Sequence, residues 1–276
     1  MSSNGAWTAQ LHWNISIDRT TKYAVWRSKY IEKYGLKIVD TYPAFSHVDV
    51  SDDNDFEREH MVVSSNTMSL EDYKECTLFR WTAMFAHYLG ATQFLSRFIN
   101  KHQGVEFKKF YTNLMEYMKN SDGFLNNQLK KTRETLDGVL DAKLPWGRVV
   151  SEVRKNYAWD FEEATIIEIM KNKKEYYKDI KKFLNTYYPM PKELVEDLLK
   201  YQDLSMLDPQ ITYPKKYILQ HNIHDVIHHE KTLQSEQQQL ISENKNYEGD
   251  FYEYGKETLW WGRRVAAYKN KVHLEQ

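Results

Sequence analysis

Residues 57–104 constrain the fold more than any other stretch. Glu57-Arg-Glu-His60-Met-Val-Val-Ser64 leads through Ser-Asn-Thr-Met68 to Ser69-Leu-Glu-Asp72, and a long apolar-patterned run follows to Phe98. Residues 58–64 alternate around Met61, Val62 and Val63, which predicts a short strand. Ser69 suits a helix N-cap, and Asp72 at the third helical position makes a variant capping box. Met68 and Tyr73 are placed for the hydrophobic staple across it. Beyond the cap, Leu70, Tyr73, Trp81, Met84, Phe85, Tyr88, Leu95 and Ile99 recur at three and four, giving one apolar face over many turns. Unbroken to Lys101, such a helix is roughly 48 Å long at about 1.5 Å per residue. That length predicts a central helix. Gly90 within it marks a bend or a close contact, because glycine costs a helix about 1 kcal/mol against alanine.

The rest of the chain reads mainly as helix. Residues 20–34 predict a short helix stopped by Gly35. Leu36–Val39 and Phe45–Val50 are strand-like, and with Met61–Ser64 they predict a small antiparallel sheet. Phe107, Phe110, Tyr111, Leu114 and Met118 define one helix face; Leu125, Leu129, Leu136 and Leu140 define the next. Pro145-Trp146-Gly147 breaks the chain. Asp160 and Glu163 form a second capping box. It opens a helix carrying Ile166, Met170, Tyr177, Ile180 and Leu184. Pro189 and Pro191 end that helix and start another. Residues 232–248, polar and glutamine-rich, predict a solvated helix end or loop. Phe251, Tyr254, Trp261, Val265 and Tyr268 predict a last helix. The fold class is therefore mainly α: a bundle-like helical domain over 69–276 around one long central helix, with a linker and small β element over 1–68.

Charge excludes several functions. With 38 basic and 39 acidic residues the net charge is -1, so no global field recruits nucleic acid or an anionic membrane. Lysine clusters at 171–174, 181–182 and 215–216 read as solvated helix faces. No apolar run of about 18 residues predicts a membrane span. Met1-Ser-Ser-Asn-Gly-Ala-Trp7 lacks the basic and apolar regions of a signal peptide, and one cysteine excludes an intrachain disulfide. These features predict a cytoplasmic protein. The 20 Tyr, 12 Phe and 8 Trp suit an aromatic core with a wet rim, or an interface.

Several segments carry a resemblance. Met61-Val-Val-Ser-Ser-Asn-Thr-Met68-Ser-Leu-Glu-Asp72, Phe79-Arg-Trp81 and Gly90-Ala-Thr-Gln93-Phe-Leu-Ser-Arg97-Phe resemble the C-terminal region of cobalamin-binding radical SAM proteins. Tyr30-Ile-Glu-Lys-Tyr34-Gly35, Leu204-Ser-Met206-Leu-Asp208-Pro209 and Trp260-Trp261-Gly262-Arg263-Arg264 follow the same order. The likeness spans roughly residues 27–268. The family's Cys-x3-Cys-x2-Cys motif and its Asp-x-His-x2-Gly cobalamin motif are both absent. Cys76 alone cannot ligate a four-iron cluster, which needs several thiolates. The resemblance therefore implies a non-catalytic module that packs on a barrel and helps shape the substrate site. It binds no cofactor itself: the iron–sulfur cluster, S-adenosylmethionine and cobalamin belong to the domains this sequence does not contain. The implied partner is a separate radical SAM/cobalamin subunit or a second copy of the chain. Trp81, His87, Gln93, Arg97, Trp261, Arg263 and Arg264 are the candidate contacts with substrate or partner. The ordinary alternative is that these groups are satisfied inside one domain.

A different class of function rests on His221-x2-His224-x3-His228-His229. On one helix, His221, His224 and His228 share a face and could present imidazoles to zinc or iron, making the chain an independent metal-binding or interaction module. Asn222, however, reads as an N-cap, which leaves His221 outside the helix, and no carboxylate or thiol completes a site. Glu57-x2-His60 is half of a di-iron carboxylate motif, but it falls on a predicted strand, where residues three apart face opposite ways. Cys76, mid-helix among apolar neighbours, reads as inert.

Overall fold

A computed structural model describes residues 29–41, 59–260 and 269–275. Residues 29–34 are helical (α1) and end at Gly35, whose φ of 58° is the left-handed stop expected of it. Strands β1 (Lys37–Thr41) and β2 (Glu59–Ser64) pair antiparallel, with Val39 opposite Met61. The predicted strand over Phe45–Val50 lies outside the described residues.

β2 leads into α2 (Leu70–Ala83) through the predicted box: the Asp72 amide donates to Ser69 Oγ, and the Ser69 amide donates to Asp72 Oδ2, both at 3.1 Å. The long central helix is not continuous. After α2 the chain widens into a π-helical turn over Met84–Tyr88, then leaves the helix altogether. The Leu89 amide reaches back to the Met84 carbonyl (2.8 Å) and the Thr92 amide to that of Ala86 (2.7 Å), longer spans than an α-helix makes. Gly90 follows at φ 93°, where a Cβ is strongly disfavoured, and α3 (Gln93–Gln103) starts afresh. The glycine cost read from the sequence is thus a full break. It sets α3 on a new axis against the helices that come later.

Helices α4 (Phe107–Asn120) and α5 (Phe124–Leu140) bury the predicted faces. A two-residue hairpin, β3 (Arg148–Val149) with β4 (Ala158–Trp159), follows the Pro145-Trp146-Gly147 break. The second capping box opens α6 (Phe161–Lys171) as predicted. The single helix expected from there to Leu184 is two: Asn172, at φ -127° and ψ 37°, divides α6 from α7 (Lys173–Tyr187). α8 (Lys192–Ser205) starts after Pro191, and α9 (Ile223–His229) after Asn222.

The polar stretch 232–248 is irregular at both ends, as a loop would be, but its middle is not. It contains β6 (Gln238–Glu243), the middle strand of an antiparallel sheet between β5 (Lys215–Leu219) and β7 (Lys271–Leu274). The inward positions of β6 are Gln238, Leu240 and Ser242. Gln238 Oε1 accepts the His224 amide (3.2 Å), and Ser242 Oγ donates to the Leu204 carbonyl (2.8 Å). Two of three buried positions are thus polar and hydrogen-bonded, so hydropathy alternation could not reveal the strand. The last predicted helix is a four-residue α10 (Phe251–Tyr254) running into a π-helical turn over Gly255–Trp260. Its proposed continuation through Val265 and Tyr268 lies outside the described residues.

One core runs through all of this, and its largest fully buried side chains include Trp81, Trp159, Tyr176, Tyr201, Tyr254 and Phe85. Much of the aromatic excess is therefore core. The molecule is mainly α with small β elements. Among the described residues no helix is long and apolar enough to cross a membrane.

Candidate functional site

The break at Gly90 decides where the polar candidates lie. Thr92 caps α3 without a side-chain hydrogen bond, so the amides at the helix start need another acceptor. Gln202 of α8, fully buried, supplies it: its Oε1 accepts from the amides of Phe94 (3.0 Å) and Leu95 (3.4 Å), while its Nε2 donates to the Gly90 carbonyl (2.7 Å). One carboxamide thereby fixes both sides of the break and sets the azimuth of α3. Gln93 and Arg97, one turn apart, share a face of that helix.

Arg97 is half-buried, with its guanidinium over the Phe94 ring at 5.6 Å. None of its donors makes a hydrogen bond or ion pair with the described residues, although an arginine carries five. Gln93 is 5% exposed, and its Oε1 is buried without a hydrogen-bond partner. Two polar relays flank this face. In the first, His87 of the π-helical turn meets Tyr111 of α4: Nδ1 lies 2.8 Å from the phenol oxygen. Tyr111 donates to Ser96 Oγ (2.9 Å), and Ser96 donates to the Gln93 carbonyl (2.8 Å). Each hydroxyl has one proton, so Tyr111 must accept from His87. Counting donors therefore places the His87 proton on Nδ1 and leaves Nε2 as a lone pair.

In the second relay Tyr201 of α8 lies between two histidines of α9: its hydroxyl is 3.0 Å from His224 Nδ1 and 2.9 Å from His228 Nε2. Phe94 packs edge-on against Tyr201 at 5.5 Å and also reaches the His228 ring. Lys269, just ahead of β7, is held by a β-bridge to Met206.

The charges here are mostly of one sign. Burial, then the Arg97 and Lys269 cations, hold His87 down at about 4. Burial, then His224, Arg97 and His229, hold His228 down at about 4 as well. Burial and Arg97 bring Lys269 down to about 8. Asp225 beside His224 is an ion-pair partner of Lys231 at 2.9 Å.

These shifts have a consequence for stability. An imidazole at about 4 in the fold and near 6.5 in the unfolded chain lets the unfolded state bind more protons between those values. Stability is therefore full above about pH 6.5 and is lost as pH falls toward 4. For His87 alone the loss is on the order of 2 kcal/mol. Urea unfolding at pH 7, 5.5 and 4.5 measures it, and His87→Gln should flatten the profile. An unchanged profile would show that His87 titrates normally.

The other candidates are placed differently. Trp81 is 2% exposed in the core, and its Nε1 donates to Thr165 Oγ1 at 3.0 Å, so its ring has no surface to offer a ligand or partner. Trp261, Arg263 and Arg264 lie outside the described residues. Asn222 does cap α9 and leaves His221 outside it, where His221 Nδ1 lies 2.9 Å from Asp197 Oδ2. His221 thus faces a carboxylate, while His224 and His228 share a tyrosine. The three imidazoles do not share one helix face, as the Asn222 cap predicts. Among the described residues no group of three or more His, Cys, Asp or Glu is placed to hold a metal. Cys76 is exposed on α2 rather than packed among apolar neighbours. Glu57 lies outside the described residues, and His60 pairs with Asp40.

Tyr201, Tyr111, Gln202 and Lys269 escaped the sequence reading. The tyrosines and Gln202 sit on helix faces indistinguishable by spacing from ordinary core, and Lys269 follows no motif. A cleft of about 420 Å³ elsewhere is lined by Lys131, Leu144, Arg148, Val149 and Glu168. Its buried arginine is spent on structure: the terminal nitrogens of Arg148 donate to Thr132, Thr165 and Gln128. No family model matches the chain, and no curated protein matches it.

Proposed function

We propose that this chain is a helical binding module without catalytic machinery of its own, and that the Arg97 face of α3 is its working surface. In the role the resemblance suggests, it packs on the barrel of a cobalamin-dependent radical SAM protein and helps shape that enzyme's substrate site. The observation that carries the reading is the half-buried guanidinium of Arg97, held over Phe94 with its donors unused by the described residues. A guanidinium kept partly out of water without a partner costs stability, and such a cost is commonly retained where a ligand or partner supplies the missing acceptors. Gln93, Arg97 and His87, three of the candidate contacts read from the sequence, belong to that one region. The cluster, S-adenosylmethionine and cobalamin then belong to the partner.

Reading the neighbouring genes for a radical SAM protein, and co-expressing one with this chain, tests the reading, with anaerobic iron–sulfur reconstitution of each component. The expected result is a stable complex, weakened by Arg97→Ala, in which cluster and S-adenosylmethionine cleavage reside only in the partner. A stoichiometric cluster on this chain alone would overturn it, as would failure to form the complex.

A further inference from the structure

The Arg97 face has a chemical preference that follows from what surrounds it. Around the Arg97–Phe94 pair, α8 presents Tyr201 and α9 presents His228, both against the Phe94 ring, and the Arg97 charge is felt by His87 of the π-helical turn and Tyr111 of α4. The segment before β7 adds Lys269. No carboxylate among the described residues pairs with Arg97. Nearby acids are engaged elsewhere: Asp225 by Lys231, Asp197 by His221 and Lys200, and Glu230 by Lys101. The wall beneath the guanidinium is the ring of Phe94, edge-on to Tyr201.

We propose that this face is a binding site for an oxyanion, a phosphate or carboxylate group of a small molecule, held by the Arg97 fork. The proposal rests on the reading of the Arg97 face as a binding surface and names what it binds. A planar guanidinium takes two oxygens of a phosphate or carboxylate side by side. The Phe94 ring keeps the guanidinium in place and offers an apolar flank for the body of an aromatic or aliphatic ligand. Gln93, on the same helix face, brings a carboxamide that lacks a partner for its oxygen; turned over, that group presents an N–H to an anion.

Calorimetric titration of the full chain with inorganic phosphate, phenyl phosphate, benzoate and the neutral phenol tests this. One site is expected for the anions, with phenyl phosphate tighter than phosphate. Affinity should be weaker by about tenfold in Arg97→Gln and partly restored in Arg97→Lys, as loss of a bidentate charged contact predicts. Lys101→Gln, which changes a surface cation paired with Glu230, should leave affinity unchanged. Thermal melts of each variant without ligand separate lost binding from lost folding. If phenol binds as tightly as phenyl phosphate and Arg97→Gln weakens both, the oxyanion assignment falls while the binding surface stands. If anion binding is equal in Arg97→Gln and wild type, or absent, the oxyanion site falls; a radical SAM complex still weakened by Arg97→Ala would then keep the docking reading alone.

Discussion

Trp81→Ala should lower the unfolding free energy by about 4 kcal/mol, near the top of the range for a truncated core aromatic. The ring is 2% exposed and lies 4.8 Å from that of Phe85, at the point where α2 passes into the π-helical turn. Its indole N–H ends on Thr165 of α6, a residue 84 positions away. Thr165 is fully used: its oxygen also accepts from Arg148 at 3.2 Å, and its proton goes to the Phe161 carbonyl at 2.8 Å. Alanine leaves a cavity and removes one of the two donors at that oxygen. Phenylalanine keeps much of the volume and loses the N–H, so Trp81→Phe should cost less, about 2 kcal/mol. Urea unfolding of the three proteins checks both values. A loss below about 1 kcal/mol for Trp81→Ala would mean that the ring is not a core anchor. It would leave Trp81 available as a contact with substrate or partner.

Trp81 also shows which part of the fold was legible in the sequence. Elements stated by local chemistry were readable: the Ser69 and Asp160 boxes, the Gly35 stop, and the amphipathic faces of α4 and α5. Each of those signals is written in neighbouring residues. The misreadings concern elements whose partners are distant. The period of the 70–101 run is real, but nothing within it states that Gln202, more than a hundred residues later, will accept the amides of a helix restarted at Gln93. Asn172 divides α6 from α7 without disturbing the apolar spacing on either side. β6 hides because Gln238 and Ser242 face inward and find partners on α9 and α8. The site follows the same pattern. His87, Gln93 and Arg97 could be singled out as polar groups on an apolar run. Their neighbours Tyr111, Tyr201 and Lys269 come from three other elements, and no spacing in the sequence joins them. The histidine cluster is divided by a signal that is local: Asn222, legible as a cap, starts α9 after His221, and Asp197 then holds His221 away from the other two.

Gln202→Leu should cost about 3 kcal/mol and should also impair the Arg97 face without touching it. Leucine matches the volume of glutamine closely, so packing is nearly conserved and the loss is one of hydrogen bonding. Three buried main-chain groups lose their partner together: the Phe94 and Leu95 amides and the Gly90 carbonyl. Each buried polar group left unsatisfied costs about 1–3 kcal/mol, less where water enters the gap. The start of α3 then frays, and Arg97 stands one turn beyond that start. Oxyanion affinity should accordingly fall, as it does in Arg97→Gln, although the guanidinium remains. Gln202→Glu separates the two halves of the clamp. A carboxylate still accepts the two amides, favourably placed at a helix N-terminus, but it cannot donate to the Gly90 carbonyl. Its stability should lie between that of wild type and Gln202→Leu, with Phe94 and Leu95 still protected. Amide hydrogen exchange at Phe94 and Leu95, read beside urea unfolding, distinguishes these cases. Unchanged protection of both amides in Gln202→Leu would show that α3 is capped by something other than Gln202, and the placement of Arg97 would need another cause.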